Sequence, residues 1–140
     1  NSSYEIYCKT LKPIKKISTK EFPGYPTDLQ AQLIATQLKS GLKSKVVENI
    51  FENRFIHIPE LRRFGANLSI KGNTVTIDKT SNLLGAEVMA TDIRASFSLI
   101  IAAMMSKGKT VINRIYHLDR GYEDFDLKLK KCGVNISRKK

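Results

Sequence analysis

Thr91-Asp92-Ile93-Arg94-Ala95-Ser96-Phe97-Ser98-Leu99-Ile100-Ile101-Ala102-Ala103-Met104-Met105 starts on a polar pair and continues as an apolar run. Apolar side chains at Ile93, Phe97, Ile100, Ile101, Met104 and Met105 follow helical spacing, and Gly108 lies just beyond the stop, so the stretch predicts a helix at the centre of the core. An earlier stretch has the same form. Thr27-Asp28 opens a run with Leu29, Leu33, Ile34 and Leu38 on one face, after Pro23-Gly24 and Pro26, which keep helix out of the preceding loop. Ile50-Phe51 answers Ile115-Tyr116, Arg54 answers Arg120, and Gly65-Ala66-Asn67 answers Gly133-Val134-Asn135, at offsets drifting from 64 to 68 residues. So small a drift predicts one unit written twice, with short loop insertions.

Strands are expected on either side of each long helix: Ile14 to Thr19 and Lys45 to Ile50 in the first copy, Ala86 to Met89 and Thr110 to Ile115 in the second. A shorter helix follows in each, Pro59 to Phe64 and Glu123 to Cys132, with Pro59 suited to a first helical position and Gly65 and Gly133 to the left-handed residue past the end. Leu68 to Lys71 and Thr74 to Ile77 flank Gly72-Asn73, a two-residue hairpin signal. The unit therefore reads β-α-β-α-β-β in an α/β fold, with unit 1 at about residues 12–80 and a truncated unit 2 at about 84–140. Val134 to Arg138 is the last strand-like stretch, and its missing hairpin partner is expected to leave an open sheet edge. The chain, which starts on Asn1, reads as a piece of a longer parent.

A length of 140 residues suffices for a real core. The net charge of +11 would attract phosphates, on nucleic acid or on a small substrate, although lysines spread over Lys9 to Lys20, Lys39 to Lys45 and Lys128 to Lys140 read foremost as solvated faces. Cys8 and Cys132 have neither metal nor redox spacing, which fits a reduced, cytoplasmic protein. The longest apolar run, Leu99 to Met105, is far too short for a bilayer, and the start carries no export signal.

Asp28 and Asp92 stand at predicted helix starts, where an acid normally caps backbone N–H groups; a capped carboxylate is a poor base because those hydrogen bonds favour its charged form. Arg54 and Arg120 are expected to follow strands in equivalent places, where two planar cations could hold a phosphate or carboxylate, or simply pair with Glu52, Asp119 or Glu123. Arg94 could pair with Asp92 or reach another loop. His57 and His117 are isolated, Ser96 and Ser98 have no evident His-Asp partners, and no glycine-rich phosphate loop occurs.

The segments Pro23-Gly24-Tyr25-Pro26-Thr27-Asp28-Leu29-Gln30-Ala31-Gln32, Ile50-Phe51-Glu52-Asn53-Arg54-Phe55, Ala90-Thr91-Asp92-Ile93-Arg94-Ala95-Ser96 and Arg114-Ile115-Tyr116-His117-Leu118-Asp119-Arg120-Gly121-Tyr122-Glu123 resemble the bacterial UDP-N-acetylglucosamine 1-carboxyvinyltransferase family. The related enolpyruvylshikimate-phosphate synthases share the fold, but the Glu-Asn-Arg-Phe and Asp-Arg-Gly-Tyr-Glu motifs point to the amino-sugar enzyme. The resemblance implies an inside-out α/β barrel of repeated β-α-β-α-β-β units, of which this chain is an incomplete domain, with substrates bound in a cleft between two domains. It implies transfer of the enolpyruvyl group of phosphoenolpyruvate to the 3′-hydroxyl of UDP-N-acetylglucosamine with release of phosphate, the step that begins peptidoglycan synthesis. No metal or organic cofactor is implied.

Carried over by motif, Asp28 accepts the hydrogen bond, and the proton, of the sugar hydroxyl, or only anchors the sugar. The backbone at Ile50 contacts the sugar nucleotide, Arg120 closes onto phosphoenolpyruvate, and Arg54, Asp92 and Arg94 shape the same cleft. The family also uses a lysine, an asparagine and a reactive loop, usually bearing cysteine, that this chain lacks, so the chain alone is expected to be inactive without the remainder of its parent. The rival reading is a basic α/β module that docks RNA on its sheet. It lacks the aromatic-basic stacking signature of single-strand recognition, with Tyr116, Tyr122, Phe51 and Phe55 better explained as loop and core residues.

Overall fold

The computed structural model describes residues 12–139; Cys8 and Lys9 lie outside them. β1 (Lys16–Ser18), a 3-10 turn (Thr27–Leu29), α1 (Gln30–Gln37), β2 (Ser44–Val47), α2 (Ile58–Arg63), β3 (Leu68–Lys71) and β4 (Thr74–Ile77) come first. β5 (Glu87–Met89), α3 (Ile93–Met105), β6 (Val111–Asn113), α4 (Tyr116–Asp119) and α5 (Phe125–Lys131) follow. The first half thus has the order β-α-β-α-β-β, and its strands form one sheet ordered β1-β2-β4-β3. β1 and β2 run parallel, Ile17 opposite Val46, because the chain crosses over through α1; β2 and β4 are antiparallel, Val46 opposite Val75. Gly72, at φ +57°, turns the β3–β4 hairpin, a conformation that needs no Cβ.

In the second half β5 and β6 pair in parallel across α3, Val88 opposite Ile112. No strand follows β6 among the described residues, and Val134 to Arg138 is irregular rather than strand-like. The sheet order explains this difference. Among the described residues β3 pairs with β4 and not with β2, so a strand in the third position has no ladder to join until a fourth strand lies between them. Arg138 instead bonds Asp119 at 2.7 Å and Asp126 at 3.2 Å.

The two long helices pack on each other at the centre. α1 turns inward Ala31, Ile34 and Ala35, and α3 turns inward Ala95, Ser98, Leu99, Ile100 and Ala102, with the alanines and Ser98 small enough to let the helices approach closely. The burial differs from the apolar stripe expected of α3, since Met104 is 45% exposed while Ser96 and Ser98 are fully buried. Both hydroxyls donate back to helix carbonyls, of Asp92 and Ala95, so neither is poised as a nucleophile. Phe64, Leu61, Ile58, Val75, Ile77 and Leu99 complete the main core. Phe97 stacks on Tyr122 at 4.5 Å between ring centroids, part of a smaller cluster with Leu118 and Phe125.

No helix among the described residues is long and apolar enough to cross a membrane. Cys132 is an exposed, free thiol at the end of α5.

Candidate active site

The two Thr-Asp pairs take different local structures, and the difference builds the site. Asp92 is an N-cap: its Oδ1 accepts from the amides of Arg94 and Ala95, both at 2.8 Å. Asp28 is not a cap. Pro26 precedes it, the chain makes a 3-10 turn, and α1 begins only at Gln30, without a side-chain cap. The Asp28 side chain is left 62% exposed, with its carboxylate turned to two guanidinium groups.

Arg94 Nε donates to Asp28 Oδ1 at 2.6 Å, and Arg54 Nη1 approaches the same oxygen at 3.4 Å. Arg94 thus reaches another loop and does not pair with Asp92. Its backbone is held by the Asp92 cap, so the first turn of α3 aims the guanidinium at a carboxylate from the first half. Arg54 lies in the turn between β2 and α2, where Asn53 takes the left-handed conformation (φ +55°) that asparagine tolerates, and its guanidinium covers the Phe51 ring at 4.3 Å.

Behind this cluster is a cleft of about 230 Å³ lined by Thr27, Gln30, Arg54, His57, Asp92 and Arg94, among others. Its inner wall holds two side chains that motif reading passed over or set aside. His57 is 1% exposed, and burial pushes its pKa down to about 4, against the opposing pull of the Asp92 charge and of a ring N–H donated to the Arg54 backbone. The imidazole is therefore neutral. Among the described residues its Nε2 and the Nε2 of buried Gln30 have no hydrogen-bond partner, so the wall of the cleft offers unspent hydrogen-bonding groups.

Four sequence-predicted residues, Asp28, Arg54, Asp92 and Arg94, come together here. Ile50 and Arg120 are not among the residues that line the cleft. The Ile50 amide is held by the Glu48 carboxylate at 2.9 Å. Arg120 does not follow a strand as expected. Residues after β6 coil into α4, and Arg120 caps the C-terminal end of that helix, exposed to solvent. It has no ion pair among the described residues, since Asp119 is taken by Arg138. Gly121, the next residue, sits where a Cβ would strike the Ile93 side chain, so the Arg120 loop packs on the first turn of α3 beside Arg94. Glu48, which holds the Ile50 loop, was not legible in any motif; its four partners come from three separate segments.

Among the described residues no group of three or more His, Cys, Asp or Glu side chains could hold a metal ion.

The site sets one exposed carboxylate against two guanidinium groups, one from the first turn of α3 and one from the turn before α2, and such planar cations can hold carboxylate or phosphate groups. Residues 3–129 match the EPSP synthase (3-phosphoshikimate 1-carboxyvinyltransferase) family, and the chain belongs to that family. It is 57% identical over 122 residues to the UDP-N-acetylglucosamine 1-carboxyvinyltransferase of Rhodopseudomonas palustris (strain TIE-1), covering 87% of this chain and 28% of that protein. The enzymes of the same name from Pelagibacter ubique (54% over 136 residues, 96% and 33%) and Helicobacter hepaticus (54% over 132 residues, 94% and 31%) are similar. Among solved structures, the enolpyruvyl transferase NikO from Streptomyces tendae superposes with a TM-score of 0.82 at 28% identity, over 94% of this chain and 30% of that one. The chain has the enolpyruvyl transferase fold, without a closed barrel among its described residues, and spans about a third or less of the curated relatives it matches.

Proposed function

We propose that the chain is part of one domain of a UDP-N-acetylglucosamine 1-carboxyvinyltransferase, with repeat unit 1 at about 12–80 and unit 2 at about 84–140. The whole enzyme moves the enolpyruvyl group of phosphoenolpyruvate to the 3′-hydroxyl of UDP-N-acetylglucosamine and releases phosphate, in the cytoplasm, as the first committed step of peptidoglycan synthesis, and so serves cell shape and division. The observation that carries this reading is the exposed Asp28 carboxylate clasped by Arg94 and Arg54 at the mouth of a cleft. The identity of 54–57% to enzymes of that name supports the substrate assignment.

Adding an alcohol across the enol double bond of phosphoenolpyruvate needs a base on the hydroxyl, an acid at the methylene carbon, and fixed cations for phosphate and carboxylate. Asp28 is the base or anchor for the sugar hydroxyl. It caps no helix, so its carboxylate is not committed to backbone N–H groups and can exchange an arginine contact for a substrate hydroxyl. The new bond joins the hydroxyl oxygen to the enol carbon, the methylene takes up a proton, and loss of that proton with the phosphate restores the double bond. Arg54 and Arg94 supply positive charge beside Asp28, and Asp92 fixes Arg94 through the α3 cap. Arg120, without an ion pair among the described residues, is the cation that closes on phosphoenolpyruvate. The acid and the remaining cations belong to the rest of the parent, so the chain alone is inactive. No cofactor or nucleic acid is required; Tyr122 stacks on Phe97, and Arg54 covers one face of the Phe51 ring.

The test is phosphate release with both substrates present. The full-length transferase containing this chain is expected to release phosphate and the isolated chain none. Full-length protein that turns over no sugar nucleotide overturns the assignment, and turnover by the chain alone overturns the dependence on its missing remainder.

A further inference from the structure

We propose that Glu48 is the positioning residue of this site: one buried carboxylate ties the Asp28 turn to the Ile50 loop, and so sets where the sugar hydroxyl meets Asp28. The inference rests on the function proposed above.

Glu48 follows β2 and is 3% exposed. Oε1 accepts from the Thr19 hydroxyl at 2.8 Å, the Ile50 amide at 2.9 Å and the Phe51 amide at 3.2 Å, while Oε2 accepts from the Thr27 hydroxyl at 2.8 Å. The donors come from three places: the end of β1, the turn that carries Asp28, and the loop that carries Ile50 and leads to Arg54. Thr19, fully buried, extends the network by accepting from the Asn49 amide at 2.9 Å. Among the described residues no lysine or arginine forms an ion pair with Glu48, so the cost of burying its charge is met by neutral donors alone. Burial pushes the carboxyl's pKa up, but the four hydrogen bonds outweigh that and hold it below the ordinary carboxylate value.

The chemistry explains why a carboxylate stands here. All four partners are used as donors, and only an ionised carboxylate accepts with both oxygens. A glutamine could keep its oxygen toward Ile50 and Phe51, but its NH₂ would face the Thr27 hydroxyl, which would have to reverse from donor to acceptor. Glu48→Gln therefore loosens the Asp28 turn selectively. Glu48→Asp, one methylene shorter, cannot span both loops.

The consequence is a split in kinetic constants. In the full-length transferase, Glu48→Gln is expected to raise KM for the sugar nucleotide by about tenfold, the size of one lost charge-assisted hydrogen bond, with KM for phosphoenolpyruvate within about twofold. Thr27→Val, which removes only the Oε2 contact, is expected to shift the same constant in the same direction. A merely structural Glu48 would lower the active fraction and leave both KM values alone, and that result would overturn the proposal. A separate readout does not need turnover. In ¹⁵N spectra of the isolated chain, the amides of Asp28, Ile50 and Phe51 are expected to titrate together with one midpoint, and in Glu48→Gln that shared titration vanishes. An Asp28 amide indifferent to Glu48 would overturn the coupling, whereas wild-type enzyme without turnover would sink only the functional assignment.

Discussion

Arg94 Nε lies 2.6 Å from Asp28 Oδ1, a bond between residues 66 positions apart that joins the start of α3 to the turn before α1. Both side chains are substantially exposed, 40% and 62%, so the contact organises charge at the cleft more than it stabilises the fold. Arg94→Ala is accordingly expected to change unfolding free energy by about 1 kcal/mol or less in urea titrations. In the full-length transferase the same substitution is expected to lower kcat/KM by about 10²-fold, as when a fixed donor is withdrawn from developing charge.

His57 makes stability depend on pH. Its folded pKa of about 4 lies below the ordinary value of 6.5, so as pH falls the unfolded chain takes up the proton first. Stability is complete above about pH 6.5 and declines between 6.5 and 4, by roughly 3 kcal/mol in all and roughly 2 by pH 5. Urea midpoints at pH 7, 6 and 5 should show this slope in the native chain and not in His57→Gln. Glu48 acts at more acid pH: its contribution is present above the ordinary carboxylate range and is lost as pH falls through its depressed folded value.

Asp92 carries the α3 cap through two 2.8 Å bonds. Asp92→Ala is expected to cost about 1 kcal/mol and Asp92→Ser a fraction of that, because serine still caps. Thermal unfolding of both variants checks the order.

Burial on α3 predicts a contrast between two apolar positions. Leu99 is fully buried, and Leu99→Ala should destabilise by about 2–5 kcal/mol. Met104 is 45% exposed, and Met104→Ala should stay within about 0.5 kcal/mol.

What could be read in the sequence was what local chemistry decides. Gly72-Asn73 turns its hairpin, Gly65 and Gly133 take left-handed conformations past their helices, and Asp92 caps α3, each within a few residues of the signal. Of the residues that the resemblance assigned to one cleft, Arg54, Asp92 and Arg94 line it and Asp28 is bonded to the two arginines, whereas Ile50 and Arg120 stand apart. What could not be read depends on distant partners. Asp28 looked like a second cap, but Pro26 and the 3-10 turn start α1 two residues later. Val134 to Arg138 has strand composition without a ladder. Arg120 was expected after a strand and ends a short helix instead. Glu48, Gln30 and His57 owe their places to burial and to contacts far along the chain, such as Thr19 to Glu48, and no spacing announces those.

The most direct test of the central claim is phosphate release by the full-length transferase carrying Asp28→Asn, which keeps the shape and removes the charge. The account predicts that kcat falls by about 10²-fold or more while the protein unfolds at the same urea concentration as wild type. Turnover within about twofold of wild type would show that Asp28 neither accepts the hydroxyl proton nor positions the sugar, and would contradict the account.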